Sequence, residues 1–274
     1  MPLDPVYLAT AIEAALSAGR IHLEYFRRNP RVEKKGPIDL VTAADVEAEQ
    51  SFRRLIADRF PSHAVLGEEA GASGLSKAAG VGRATAVAAR WRWIIDPLDG
   101  TTNFAHGLAF FCVSIALEVD GQTELAVVYD PVGKELFSAE RGGGAWLNGE
   151  PLRVSSRDVL IDALLCTGFP YSIREDQRRQ VDVFAGFLGR SRAVRRLGSA
   201  ALDLSYVAAG RFDGFWEEQL HAWDVAAGVL IVQEAGGRVT GYDDEPIDLF
   251  AGRIVASNGA LHGAMLEVIR AAYR

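Results

Sequence analysis

The sequence predicts an α+β protein built as a layered sandwich of helices and sheets, and three features carry that prediction. Helical periodicity opens the chain, short apolar strands with hairpin signals fill its middle, and strands alternate with helices in its second half. A Rossmann sheet or a TIM barrel would alternate throughout, so the strand-rich middle argues against both. At the usual ~100–200 residues per domain, 274 residues read as one unit, 1–274, with sub-lobes of approximately 1–150 and 151–274. The first is expected to hold an antiparallel sheet and the second to be mixed α/β.

Leu8, Ile12 and Leu16 recur at every fourth position and mark one face of a helix over Leu3–Arg28 that Pro30 stops. Thr42 stands three residues before Asp45, a capping pair that starts a second helix near Thr42. His63–Gly67 reads as a short strand ending in Glu68-Glu69, and Gly71–Arg90, rich in Gly, Ala and Ser, as a mobile surface loop. Trp91–Ile95 reads as a strand stopped at Asp96-Pro97. Phe111–Val119, Glu124–Tyr129 and Glu135–Ala139 follow as strands, and the turns Asp120-Gly121 and Pro131-Val132-Gly133 join them into a largely antiparallel sheet. Beyond these come a strand near Leu160–Cys166, helices over Arg174–Leu188 and Ser199–Ala209, and a strand at Phe212–Glu217. A helix starting near Trp223, a strand at Ile254–Ser257 and a helix from Ala260 close the chain.

Composition narrows the function. Lys and Arg number 29 against 36 Asp and Glu, a formal charge of −7, which argues against a sequence-independent grip on nucleic acid or an anionic membrane. A small molecule is the expected partner. Cys112 and Cys166 lie in apolar runs without metal-ligand spacing and read as buried, reduced thiols. Asp4 stands where a signal peptide would carry a cation, and no apolar run reaches the ~18 residues a bilayer requires. A cytoplasmic protein is expected.

The chemistry gathers on acids. In WRWIIDPLDGTTNF, Asp96 and Asp99 project from one turn, with Gly100 freeing the backbone. Mg²⁺ takes such oxygen ligands, commonly one or two carboxylates plus water and substrate phosphate, although DPLDG is also ordinary turn chemistry. Glu68-Glu69 is an acid pair that solvent or a cation must relieve, Asp224 opens an apolar helix whose dipole favours an acid, and Asp45 is a capping acid.

The ordered segments KKGPIDLVTAAD, GEE, WIIDPLDGTTNF, GSAALDLSYVAAGRFDGFWE, HAWDVAAG and EAGG together resemble the inositol monophosphatase family. That family lies within the magnesium-dependent, lithium-sensitive phosphatases that include fructose-1,6-bisphosphatase and the 3′-phosphoadenosine 5′-phosphate phosphatases. The resemblance covers essentially the whole chain and implies an αβαβα sandwich of the sugar-phosphatase type. It implies a first Mg²⁺ held by Glu68, Asp96, the carbonyl of Leu98 and Thr101, a second by Asp96, Asp99 and Asp224, and a third, weaker one leaning on Glu68. Asp45 and Thr101 match the pair that polarises the attacking water, which with Glu68 makes the expected catalytic group, and the amides of Gly100 and Thr101 match a phosphate site. Asp99, Ser199, Ala200 and Glu217 match the substrate wall, Glu217 accepting from an inositol hydroxyl. Lys34 or Lys35 matches the lysine of the early loop, while Glu69 and His221 stay open between function and packing.

The expected activity is hydrolysis of inositol monophosphate, or related sugar and polyol phosphates, by direct attack of metal-activated water. Paired divalent ions supply both the nucleophile and neutralisation of the leaving oxygen. Fructose-1,6-bisphosphatase or 3′-phosphoadenosine 5′-phosphate phosphatase activity is the same-fold alternative, and a regulatory binding protein that keeps the scaffold is the other. The resemblance also implies a homodimer. His22, His63, His106 and His262 read as structural or surface residues, and Arg190, Arg192, Arg195 and Arg196 as a solvated face or an interface.

Overall fold

The structure is a computed structural model that describes residues 3–27, 32–34, 40–73, 89–170, 173 and 178–273. Lys35, Pro30 and most of the Gly71–Arg90 stretch lie outside the described residues, as do the side chain of Lys34 and the first turn expected near Arg174.

Helix α1 (Pro5–Phe26) starts as its sequence dictates, with Asp4 accepting from the Val6 amide at 3.0 Å and Pro5 in the first turn. Its buried face is the expected one in part: Leu8 and Ile12 pack half-buried against the core. Ala11, Ala14, Ala15, Ala18 and Gly19 face inward, whereas Leu16 is 43% exposed. Close approach to the sheet is the cause: a Cβ on Gly19 would stand 2.5 Å from the Tyr129 ring, so only small residues fit beneath the helix. Strands β1 (Val32–Lys34) and β2 (Leu40–Thr42) pair antiparallel and lead into α2 (Ala43–Arg59). Here the expected cap is present, with the Thr42 side chain accepting from Ala44 and the Asp45 carboxylate accepting from the Thr42 amide.

The large sheet comprises β3 (Ala64–Gly67), β4 (Gly71–Ser73), β5 (Trp91–Asp99), β6 (Cys112–Val119), β7 (Gln122–Asp130), β8 (Glu135–Glu140), β9 (Gly144–Leu147) and β10 (Glu150–Pro151), in the spatial order β10-β9-β8-β7-β6-β5-β3-β4. Every pair is antiparallel except β3 with β5. Strand β5 does not stop at Asp96-Pro97. It continues to Asp99 through a bulge, because its register on β6 steps from Asp96 opposite Ser114 to Asp99 opposite Cys112. Proline, which lacks a ladder donor, is accommodated at such a point.

After the short helix α3 (Thr101–Ala105) and this sheet, the second half builds a five-stranded sheet from β11 (Leu164–Thr167), β12 (Ala193–Arg195), β13 (Gly214–Glu218), β14 (Arg238–Thr240) and β15 (Arg253–Ser257), ordered β12-β11-β13-β15-β14. Its helices are α4 (Arg178–Leu188), α5 (Ala200–Ala208), α6 (Ala222–Glu234) and α7 (His262–Ala272). Three apolar cores define the layering. Helices α1 and α2 pack on one face of the large sheet around Trp93, Ile95 and Phe52. The apolar α5 and α6 fill the space between the two sheets around Leu204, Leu230 and Phe215. Helices α4 and α7 cover the outer face of the small sheet around Phe187 and Met265. The sequence is therefore α, β, α, β, α, and α5 and α6 are apolar nearly all round because sheets flank them on both sides.

Cys112 and Cys166 are free and buried. Among the described residues, no helix is long and apolar enough to cross a membrane.

Candidate active site

The bulge in β5 is the starting point. Leu98 drives its side chain into a core with Ala44, Phe104 and Phe111, which turns the backbone. Asp96 Oδ1 accepts from the Leu98 amide at 2.9 Å, and the Leu98 carbonyl accepts from the Thr101 hydroxyl at 2.9 Å. Gly100, at φ +97°, makes the reversal; a Cβ there would lie 2.9 Å from the Phe110 carbonyl oxygen and adopt a backbone conformation that side chains disfavour.

Register delivers the next acid. Strand β3 runs parallel to β5 with Gly67 opposite Ile95, so Glu68 follows directly beside Asp96. Its turn is fastened from α2: the buried Glu49 carboxylate accepts from the Glu69 amide at 2.7 Å and the Ala70 amide at 3.0 Å, and pairs with Arg53 at 2.7 Å. A Cβ on Gly67 would reach that carboxylate at 2.7 Å. Glu49 was not legible as a site residue, since VEAEQ reads as a solvated helical face.

One helix start supplies the last acid, Asp224, and another holds Asp99 of β5. Ser114, opposite Asp96, donates to the Trp223 carbonyl at 3.3 Å and so seats the beginning of α6 on the sheet beside Asp224. Asp224 Oδ2 accepts from the His221 amide at 2.6 Å, the capping position expected of it. His221 stacks on Trp223 at 4.7 Å. Asp99 Oδ2 accepts from the Ser199 hydroxyl and the Ala201 amide, both at 2.7 Å, at the start of α5. The Ser199 hydroxyl is thus engaged with Asp99, and the adjoining Ala200 is buried.

Asp45 lies beneath this group. Its Oδ1 is 3.2 Å from the Thr101 hydroxyl, and its Oδ2 accepts from the Thr42 amide at 2.9 Å and the Thr42 hydroxyl at 2.5 Å. Glu69 is its charged neighbour. Glu217, on β13, packs its carboxylate against the bare Cα of Gly168, where any Cβ would overlap it.

Electrostatics binds these positions into one site. Burial pushes the Asp96 carboxyl well above the usual carboxylate range, and repulsion from Glu68, Asp99 and Asp224 adds to it. Asp99 is pushed up to about 7 by burial and then by Asp224, against the opposing bonds from Ser199 and Ala201. Asp45 rises to about 6 through burial, moderated by Thr42. Burial again, then Asp203, raises Glu217. Asp203, on α5, is a further buried acid that the sequence reading passed over; its Oδ1 has no hydrogen-bond partner among the described residues.

Such a group fits divalent cations chemically: hard oxygen donors, buried together, each raising the proton affinity of the next for want of positive charge. As the side chains stand, no three His, Cys, Asp or Glu among the described residues enclose an ion. The reason is local, because Asp96, Asp99 and Asp224 each commit an oxygen to a backbone amide. The histidines take no part as ligands. His63 accepts from the Trp93 indole at 3.1 Å, His262 lies between Thr240 and Ser257, and His22 bonds the Pro97 carbonyl.

Comparison with known proteins agrees with this fold. The model of the inositol monophosphatase family matches residues 4–273. The chain is 45% identical over 269 residues to the Nus factor SuhB of Pseudomonas aeruginosa, covering 96% of this chain and 95% of that protein. It is 43% identical over 265 residues to the inositol-1-monophosphatase of Rhizobium meliloti, covering 96% of each. The solved inositol monophosphatase of Anabaena (Nostoc) superposes with a TM-score of 0.85 at 40% identity, covering 97% of this chain and 96% of that one. An IMPase/NADP phosphatase solved with Mg²⁺ and phosphate superposes at 0.80 with 26% identity, covering 96% and 94%. With the family model spanning nearly the whole chain and an inositol-1-monophosphatase 43% identical over 96% of it, this chain belongs to the inositol monophosphatase family and is a phosphatase.

Proposed function

We propose that the chain is a Mg²⁺-dependent phosphomonoesterase that hydrolyses inositol monophosphate and related polyol phosphates, transferring the phosphoryl group directly to water. One observation carries the reading: Glu68, Asp99 and Asp224 all lie within charge range of Asp96 beside the Leu98 carbonyl, the four acids coming from three separate segments. Those five groups are the ones that would hold two, or with a third weaker site three, Mg²⁺ ions. Bound there, Mg²⁺ supplies electrophilic charge to the phosphoryl oxygens and acidifies water.

The chain's own groups complete the chemistry. The Thr101 hydroxyl has two acceptors for its one proton, the Leu98 carbonyl at 2.9 Å and Asp45 Oδ1 at 3.2 Å; with the Leu98 carbonyl given over to Mg²⁺, Asp45, ionised above about pH 6, would take it. The Thr101 oxygen is then free to accept a proton from the attacking water. The amides of Gly100 and Thr101 take phosphate oxygens. Glu217 accepts from a polyol hydroxyl along the wall formed by Ala200, and Ser199 contributes by holding Asp99. His221, Glu69 and the lysine at 34 or 35 complete the rim. The protein acts in the cytoplasm as a homodimer and is inhibited by Li⁺.

Phosphate release from inositol 1-phosphate, fructose 1,6-bisphosphate and 3′-phosphoadenosine 5′-phosphate, with and without Mg²⁺ and Li⁺, tests the reading. Mg²⁺-dependent turnover highest on inositol 1-phosphate is expected; a clear preference for either of the others overturns the substrate assignment. Light scattering in solution tests the dimer. The relative named a Nus factor supports a second reading, a binding role alongside hydrolysis. A protein inactivated at Asp96 would retain that role.

A further inference from the structure

Helix α1 lies on the face of the large sheet opposite α5 and α6, yet one of its side chains reaches the bulge. His22, fully buried, stands with Nε2 2.8 Å from the Pro97 carbonyl oxygen. The ring is held edge-on by Phe104 at 6.3 Å and Phe111 at 6.0 Å. A carbonyl only accepts, so Nε2 carries the proton and Nδ1 is bare. Burial holds the imidazole at about 4, neutral at physiological pH.

As a packing element this histidine is inferior to a hydrocarbon. Nδ1 is buried without a hydrogen-bond partner among the described residues. Leucine or phenylalanine in the same aromatic pocket would bury no polar atom of its own, at the cost of the donor to the Pro97 carbonyl. What imidazole adds is a donor aimed at one particular peptide.

That peptide leads to Asp96. A trans peptide is planar, and its C=O and N–H point in opposite directions. The Pro97 carbonyl and the Leu98 amide belong to the same peptide unit. His22 grips the carbonyl, and at the other end the Leu98 amide donates to Asp96 Oδ1 at 2.9 Å. The order is therefore imidazole N–H, carbonyl, amide N–H, carboxylate, in which each bond polarises the next.

We propose that His22 is a positioning residue for the metal site, fixing the Asp96 carboxylate through the Pro97–Leu98 peptide. The inference rests on the reading that Asp96 holds Mg²⁺, and it assigns the first helix a part in that site which no acid of the helix supplies.

The test uses the full chain, stripped of metal, in three forms: wild type, His22→Phe, which keeps a ring without a donor, and His22→Gln, which restores a donor near Nε2. Mg²⁺ binding is measured by titration calorimetry and the melting midpoint in EDTA. The expected result is a metal-free midpoint for His22→Phe close to that of wild type, since the unpaired Nδ1 is removed as the Pro97 carbonyl loses its donor, with a Mg²⁺ Kd weakened about 10–100-fold, the usual range for an outer-shell partner. His22→Gln should recover most of that loss. Wild-type Kd in His22→Phe overturns the inference while leaving the metal reading intact. A wild-type protein that takes no Mg²⁺ overturns both. Should His22→Phe not fold, His22→Gln is compared with His22→Leu, and equal Kd values overturn the inference.

Discussion

The Asp99 carboxylate and the Ala201 amide meet at 2.7 Å across 102 positions of the chain. This bond ties the last residue of β5 to the first turn of α5, joining the large sheet to the helical layer between the two sheets. The same carboxylate stands among the acids of the candidate metal site. One side chain thus serves both the assembly of the site and its charge.

That dual use predicts a split between charge and architecture. In Asp99→Asn the amide oxygen still accepts from Ser199 and Ala201, so the fold and the melting midpoint in EDTA should be kept, while turnover collapses with every substrate. Asp96→Asn should behave alike. Glu217→Gln, by contrast, should mainly raise KM for inositol 1-phosphate, because it removes a substrate contact and leaves the reacting centre alone. Steady-state kinetics on two substrates decide this; equal loss by all three variants on every substrate would contradict the division.

Glu49 gives the sharpest prediction outside the expected residues. It is 1% exposed, accepts from two backbone amides of the Glu68 turn and pairs with Arg53. Removing its carboxylate in Glu49→Ala leaves both amides without their acceptor and takes the charge partner from Arg53, which keeps the Val65 and Gly71 carbonyls, a loss of about 3 kcal/mol, the low end for broken buried pairs. Urea unfolding measures it, and a loss below about 1 kcal/mol would mean that the turn is held otherwise.

These cases show which parts of the molecule were legible in its sequence. The Thr42–Asp45 cap, the Asp96–Asp99 turn and Asp224 at a helix start could be read because each depends on residues within one turn of chain. The continuation of β5 past Pro97 could not, since a bulge is defined by the partner strand β6. Leu8 and Ile12 do pack on the core but Leu16 does not, and the centre of the inner face at Gly19 could not be read because the Tyr129 ring, a long way along the chain, is what excludes a side chain there. Strands β4, β9, β10, β12 and β14 are two to four residues long, too short for periodicity to register. Glu49 and Asp203 sit on helices and gain their meaning from groups on other elements.

Gly168 yields a prediction about recognition. Its missing side chain is what admits the Glu217 carboxylate. Gly168→Ala should displace that group, raising KM for inositol 1-phosphate several-fold while kcat on a small aryl phosphate lacking the ring hydroxyls stays close to wild type. A fall in kcat with both substrates would place Gly168 in the architecture of the reacting centre.

The raised carboxyls make metal binding depend on pH, and the sign can be worked out. Asp99 moves from an ordinary 3.8 to about 7 in the folded, metal-free protein. Between those values the folded state keeps a proton that the unfolded chain releases, so this group contributes stability at low pH that is lost as pH rises through about 7. Mg²⁺ competes for the same carboxylate. Its Kd should therefore weaken by up to about tenfold per pH unit for each proton displaced as pH falls below about 7, and level off above it. Calorimetric titrations from pH 5.5 to 8 (about the range spanning both limbs) in buffers of different ionisation enthalpy measure the affinity and the proton release together. In Asp99→Asn the slope should shrink, because the amide has no proton to surrender. A wild-type Kd that stays constant over the whole range would mean that Asp99 is already ionised without metal, held so by Ser199 and Ala201 rather than opposed by its acidic neighbours.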